Sequence, residues 1–385
     1  MPSSYFDTLP DWSSRKHAIL VDYLPAFCRA LSRQTYGSHI WYVDGYAGAG
    51  IYKNPADLNT KVHKGSPLLA AEITEKLDYP VRCLNVEADA DHFASLQRAT
   101  SAFEHVENMQ ADFTTVIDAV LEKVQGSPAL FFLDPFGTKD LPMKGLIDRI
   151  VKRTRPTDIL IRYDTEAVRR LAGNVEKDTK RGGANAINLD NWFCGDGWRT
   201  LLTQYSSGSA RDDALLNYYL KQLIASSPGT IYACAYPIRK TAGHVKYHLV
   251  FATGNYLGMK VMSEILYKAE GQFQAEFIAY QEDRAGLYKQ TDMFKNPVSD
   301  PSIETIRLIK EIILQIGRTG LQLNWTVDTL YRKLILDHGL FARCAERNVR
   351  ASVKELASQG LIKRLTDGKS WGNDNPFRIK SDITP

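Results

Sequence analysis

Four times before residue 140 the chain runs through a short apolar stretch, meets a carboxylate and turns to helical spacing. Ile40-Trp41-Tyr42-Val43 ends at Asp44, Val81 to Val86 ends at Glu87, and Ala129-Leu130-Phe131-Phe132-Leu133 ends at Asp134. Val106 to Met109 is followed closely by Ala111-Asp112. Between these runs apolar residues recur at helical intervals: Leu68, Leu69, Ala71, Ile73 and Leu77; Phe93 and Leu96; Val116, Val120, Leu121 and Val124. Strands alternating with helices predict an α/β fold with a doubly wound, Rossmann-like parallel sheet. Right-handed crossovers then bring the strand ends to one edge, where ligands bind in such sheets. The unbroken run 129–133 fits a strand covered on both faces.

The first strand leads into Asp44-Gly45-Tyr46-Ala47-Gly48-Ala49-Gly50, a loop of small residues. Glycine there supplies unusual dihedrals and lets the backbone approach a ligand. By itself such a loop is equally a plain tight turn. Upstream, residues 13–31 read as an amphipathic helix on Ile19, Leu20, Tyr23, Leu24 and Phe27, kinked at Pro25, with Arg15, Lys16 and His17 on its polar side. Downstream, Gly65-Ser66-Pro67 opens a helix, with Ser66 as N-cap and Pro67 at the first helical position.

Beyond Asp134-Pro135-Phe136-Gly137 a helix around Leu146, Ile147 and Ile150 precedes a strand from Asp158 to Tyr163. From 165 to 211 the periodicity is lost, and an irregular insertion is expected. Its basic residues Arg169, Arg170, Lys177, Lys180 and Arg181, near Trp192-Phe193, suit nucleic-acid contact or a solvated loop equally. Two late strands, Ile231 to Pro237 and Tyr247 to Ala252, and a helix from Tyr256 to Lys268 complete a first domain, 1–280. A polar linker, 281–302, leads to a second domain, 303–385. There three helical segments precede a strand, a turn at Asp367-Gly368 and a strand, which is the winged-helix order. Its third helix carries Arg343, Arg347, Arg350 and Lys354, suited to a nucleic-acid groove.

Composition is that of an ordinary globular protein, 44% hydrophobic and 24% charged. No apolar run approaches the roughly 18 residues that cross a bilayer. Met1 to Trp12 lacks the basic and apolar regions of a signal peptide, so a cytoplasmic protein away from membranes is expected. Its five cysteines are scattered without a C-x-x-C pair, which points to reduced thiols and no metal site. Charge is uneven: 14 Lys/Arg face 9 Asp/Glu from residue 301 on, against 34 and 35 before it. That basic excess hints at a polyanionic partner.

The strand-end acids suit a nucleoside cofactor. Gly48 and Gly50 would admit it closely, Glu87 would accept from both ribose hydroxyls, and Asp112 would receive an adenine amine. In dinucleotide sites the acid follows the glycines by about 20 residues, but Glu87 lies 37 past Gly50. An acid at Asp44 also suits a phosphate poorly. The ammonium of S-adenosylmethionine fits it better.

Asp44-Gly-Tyr-Ala-Gly-Ala-Gly50, Gly65-Ser66-Pro67-Leu68, Glu87 and Asp134-Pro135 resemble the three-Cys-motif partner protein (TcmP) family over nearly the whole chain. Those proteins are methyltransferase-like, with a class I S-adenosylmethionine-dependent sheet, a C-terminal winged helix, and a partner that carries the three cysteines. The N-terminal half also resembles the ribosomal RNA adenine-N6 methyltransferases. That family matches Lys16-His17, the loop from Asp44 through Gly45, Tyr46, Ala47 and Gly48 to Gly50, Ser66, and Asp134-Pro135. Two late strands commonly complete such a sheet, the last inserted antiparallel. The resemblance implies that Lys16 and His17 neighbour the cofactor, and that Asp134, Pro135 and Phe136 form the catalytic motif. There the acid and a backbone carbonyl accept hydrogens from the target amine. Phe136-Gly137 departs from the Pro-Tyr of that motif. The expectation is methyl transfer to an amino group, in DNA or RNA, within a defence or modification operon that supplies a partner protein; the alternative is a catalytically inactive cofactor- or nucleotide-binding winged-helix regulator or partner-docking protein.

Overall fold

The structure, a computed structural model, describes residues 12–33, 39–53, 62–135, 138–177, 180–241, 244–286, 301–319, 324–366, 371–372 and 374–380. They fall into two compact units, one up to Met259 and one from Lys260 onward.

The first unit opens with helix α1 (Trp12–Leu31), continuous through Pro25. Strand β1 (Ile40–Asp44) follows, then a small antiparallel hairpin of β2 (Ile51–Lys53) and β3 (Val62–Lys64). Next come α2 (Ser66–Thr74), β4 (Val81–Glu87), α3 (Ala90–Thr100), β5 (Val106–Gln110), α4 (Phe113–Val124) and β6 (Ala129–Leu133). A short turn of helix, Met143–Ile147, runs into α5 (Asp148–Ile150) and then β7 (Thr157–Tyr163).

Residues 165–211 are not irregular. They form α6 (Thr165–Glu176), α7 (Gly182–Trp192), α8 (Trp198–Gln204) and the start of α9 (Ser209–Ala225). Their helical period is hidden by paired glycines at the start of α7 and by large aromatics between the helices. Trp192, Phe193, Trp198 and Tyr219 are all fully buried, with Trp192 and Tyr219 stacked at 5.4 Å. Tertiary burial of these rings outweighs the weak local propensity of a Gly-Gly start.

Strands β8 (Tyr232–Thr241) and β9 (His244–Thr253) form a long hairpin before α10 (Tyr256–Gly286). The main sheet runs β5-β4-β1-β6-β7-β9-β8. β1 pairs in parallel with β4 and β6, and β7 with β6, whereas β9 is antiparallel to both β7 and β8. The expected late antiparallel insertion is therefore present. Successive residues alternate between the faces. Val43, Phe131, Ile159 and Ile161 pack with α4, α6, α7 and α9 in one apolar cluster. On the opposite face Tyr23 of α1 meets Phe251 edge-on at 5.1 Å.

The second unit holds the rest of α10 with α11 (Pro301–Arg318), α12 (Val327–Asp337), α13 (Glu346–Ser358), β10 (Ile362–Arg364) and β11 (Phe377–Ile379). β10 and β11 pair antiparallel, and Trp325 bridges to Phe377. Ile309, Ile313, Leu330, Leu334, Val349, Val353 and Phe377 are buried in its core. Reciprocal bonds between Thr326 and Thr329 cap α12. The proposed linker lies largely outside the described residues. Among those described, no helix is long and apolar enough to cross a membrane.

Candidate functional site

Because β5, β4, β1, β6 and β7 are parallel, their carboxyl ends share one edge. In spatial order it carries Asp112, Glu87, Asp44, Asp134 and then Arg162 with Asp164. The strand order reverses between β1 and β6. Crevices at such a switch point are the usual ligand sites of open α/β sheets.

Asp44 is wholly buried. Its carboxylate accepts from the Tyr42 hydroxyl at 3.0 Å, the Tyr46 amide at 3.2 Å and the Ser66 side chain. Burial pushes its acid up to about 6, against those bonds and nearby Lys16, which favour the charged form. Ser66 therefore does not serve as the N-cap. Gly65 takes that position, and the Ser66 hydroxyl goes to the buried carboxylate instead.

The loop is stitched to both neighbouring strands, Gly45 N–H to Phe132 O at 3.1 Å and Ala47 N–H to Val86 O at 3.0 Å. Gly48 N–H donates to Glu87 Oε2 at 2.7 Å, and Asp89 N–H to Glu87 Oε1 at 2.8 Å. One acceptor bond on each oxygen leaves each a further lone pair. Gly48 and Gly50 have φ of 65° and 72°, which side chains resist. The room at Gly48 is filled by the protein: a Cβ there would collide with the Tyr52 hydroxyl. Tyr46 stands edge-on to Phe113 at 5.6 Å, and burial raises its phenol.

Asp112 is exposed and caps α4, its Oδ1 accepting from Thr114 N–H at 2.8 Å and Thr114 Oγ1 at 2.7 Å. Lys16, 9% exposed, crosses from α1 to pair with Asp134 Oδ2. Its neighbour His17 is lowered to about 4 by burial and by the Lys16 charge, so it is neutral at pH 7.

Asp134 Oδ1 is buried and has no hydrogen-bond partner among the described residues. Arg162 Nη1 stands 3.6 Å from it, with Nη2 at 3.4 Å from Asp164 and the guanidinium over the Tyr247 ring at 4.8 Å. Pro135 is buried directly behind Asp134; Phe136 and Gly137 lie outside the described residues. Lys16, Asp44, Ser66, Glu87 and Asp134 thus converge, with Asp112 further along the edge. Sequence reasoning missed Tyr42, Tyr52 and Arg162. The signal for Arg162 was a cation one residue before the end of a strand, directly after the apolar run Ile159-Leu160-Ile161.

In the second unit Arg343, Arg347 and Lys354 are exposed, and Arg347 lies over the Tyr267 ring at 5.7 Å. Arg350 is half-buried and bonds Glu346 at 2.6 Å.

No protein-family model and no curated protein matches the chain. Among solved structures it is similar to protein LPL1258 of Legionella pneumophila str. Philadelphia 1, at 12% identity and TM-score 0.38, over 63% of this chain and 84% of that one. It is also similar to the O-methyltransferase TomG of Streptomyces achromogenes in complex with SAM, at 14% identity and TM-score 0.36, over 65% and 84%. An rRNA methylase of Streptococcus thermophilus is similar at 13% identity and TM-score 0.30, over 62% and 93%.

Proposed function

We propose that this chain is an S-adenosylmethionine-dependent methyltransferase that acts on an amino group in nucleic acid. The observation that carries the reading is Asp134 Oδ1, a buried acceptor at the switch point of the sheet that no donor among the described residues hydrogen-bonds, with Arg162 Nη1 standing off at 3.6 Å. The strand order, with one antiparallel insertion between β7 and β8, supports the methyltransferase sheet that the sequence resembles.

The residues present fit the cofactor. Glu87 keeps a lone pair on each oxygen for the ribose hydroxyls, and Asp112 would take the adenine amine. Asp44, buried beneath the loop, acts through its charge and by holding Tyr46 and Ser66 in place. When bound, S-adenosylmethionine supplies an electrophilic methyl on a sulfonium. Asp134 Oδ1 would accept a hydrogen of the target amine and so aim its lone pair. Lys16, on the other oxygen, holds that carboxylate still. Alignment of this kind provides much of the rate where the leaving group is already good. The helices and paired strands of the second unit follow the winged-helix order, which supports nucleic acid as the substrate. We also read the chain as a cytoplasmic member of the TcmP family, working beside a three-Cys-motif partner.

Transfer of tritiated methyl to DNA, tRNA and rRNA tests the reading. Wild type labels one of them, and Asp134→Ala labels it at least about 100-fold more slowly. No labelling of any by wild type overturns the nucleic-acid reading. One observation favours a second reading, a cofactor-binding regulator without turnover: Arg162 already faces the oxygen that an amine would need. Calorimetric binding of the cofactor with no transfer to any acceptor would select it.

A further inference from the structure

Tyr52 was singled out by no motif. It lies on β2, directly after the glycine loop, and folds back over it. Its ring packs against Gly65, where a Cβ would come within 2.9 Å of Cε2, and its hydroxyl rests on Gly48 and bonds the Ala49 backbone. Gly48 N–H is itself held by Glu87 at 2.7 Å. The phenol oxygen therefore stands beside the loop between Glu87 and Asp44, and both carboxylates help to push its acidity down, to a pKa of about 12, after the larger effect of burial. The side chain is nonetheless 43% exposed, so part of it looks outward from the crevice.

We propose that Tyr52 is a ligand-contacting residue of the cofactor site, its hydroxyl meeting the part of the ligand that joins ribose to the amino-acid tail. This rests on the cofactor reading above. A ribose on Glu87 and an ammonium drawn by the charge of Asp44 leave the linking atoms to pass over Gly48. That is where the Tyr52 oxygen sits. Gly48 and Gly65 are then small because they seat this ring, and the ring forms a wall of the crevice. A hydroxyl in this position holds the Ala49 amide and still has a hydrogen and a lone pair for the ligand.

Calorimetry on the full chain tests the idea with two probes, S-adenosylhomocysteine and adenosine, which lacks the tail. Tyr52→Phe keeps the ring and should melt with wild type. It is expected to weaken S-adenosylhomocysteine about fivefold to tenfold, the size of one lost hydrogen bond, and adenosine less than twofold. Tyr52→Ala, which also removes the wall, should weaken the larger probe further. Equal or tighter binding by Tyr52→Phe overturns the proposal, and so does an equal loss for both probes, which would mark a residue that only holds the loop. If wild type binds neither probe, the cofactor reading itself fails and takes this assignment with it.

Discussion

Lys16 and Asp134 sit far apart in the chain yet form an ion pair whose side chains are 11% and 14% exposed. Leaving one member of so buried a pair behind is costly, because the other charge keeps its desolvation without its partner. Lys16→Met should destabilise the protein by about 3 kcal/mol, and Asp134→Asn in that background should restore part of it. Urea unfolding of the four proteins measures the coupling; strictly additive losses would refute the pair. At the other end of the sheet Asp158 is buried against the Tyr23 hydroxyl at 2.6 Å and against Thr253. Burial raises its acid from 3.8 to about 6, so the folded state holds this proton more tightly than the unfolded chain. The stabilisation that results is complete below the unfolded value and is lost as pH rises through 6. Asp158→Asn should therefore gain on wild type by about 2 kcal/mol between pH 4 and pH 8. A difference independent of pH would contradict the assignment. The sequence shows that acids end the strands, but not how each is satisfied. Tyr42 and Ser66 on Asp44, and Arg162 beside Asp134, are long-range partners that periodicity does not encode.

The elements divide by how local their signals are. β1, β4, β6 and their crossover helices were legible because each carries its own period and its own stop, and the parallel order then follows from handedness. The helices after Asp164 were not. α7 begins with Gly182-Gly183 and ends in Trp192, which is buried between Tyr163 and Tyr219 at centroid distances of 5.8 and 5.4 Å. Such a helix is held by what it packs against rather than by propensity. Trp192→Ala should then cost about 3–5 kcal/mol and lower the melting temperature of the whole first unit. Thermal unfolding followed by circular dichroism checks this; a loss under about 1 kcal/mol would mean that the region is packed too loosely to count as part of that core.

Across the whole molecule the charge is divided as the chain is, with the basic excess after residue 300. On α13 the apolar side, Val349, Val353 and Leu356, is buried, and the acids of the helix are engaged: Glu346 with Lys260 and Arg350, Glu355 with Lys310. Arg347 and Lys354 remain on the exposed face. If this face meets nucleic acid phosphates, each contact releases counterions, and the slope of log K against log salt reports their number. Arg347→Ala and Lys354→Ala should each flatten that slope by about 1 while weakening all duplex sequences alike. Arg350→Ala should leave it nearly unchanged, since that guanidinium is already tied to Glu346 at 2.6 Å. Titration of the full chain onto labelled duplex DNA and RNA at several salt concentrations gives all three slopes. Equal effects from the three variants would point to net charge rather than to this face, and a wild type that ignores both duplexes would refute the nucleic-acid reading of the face.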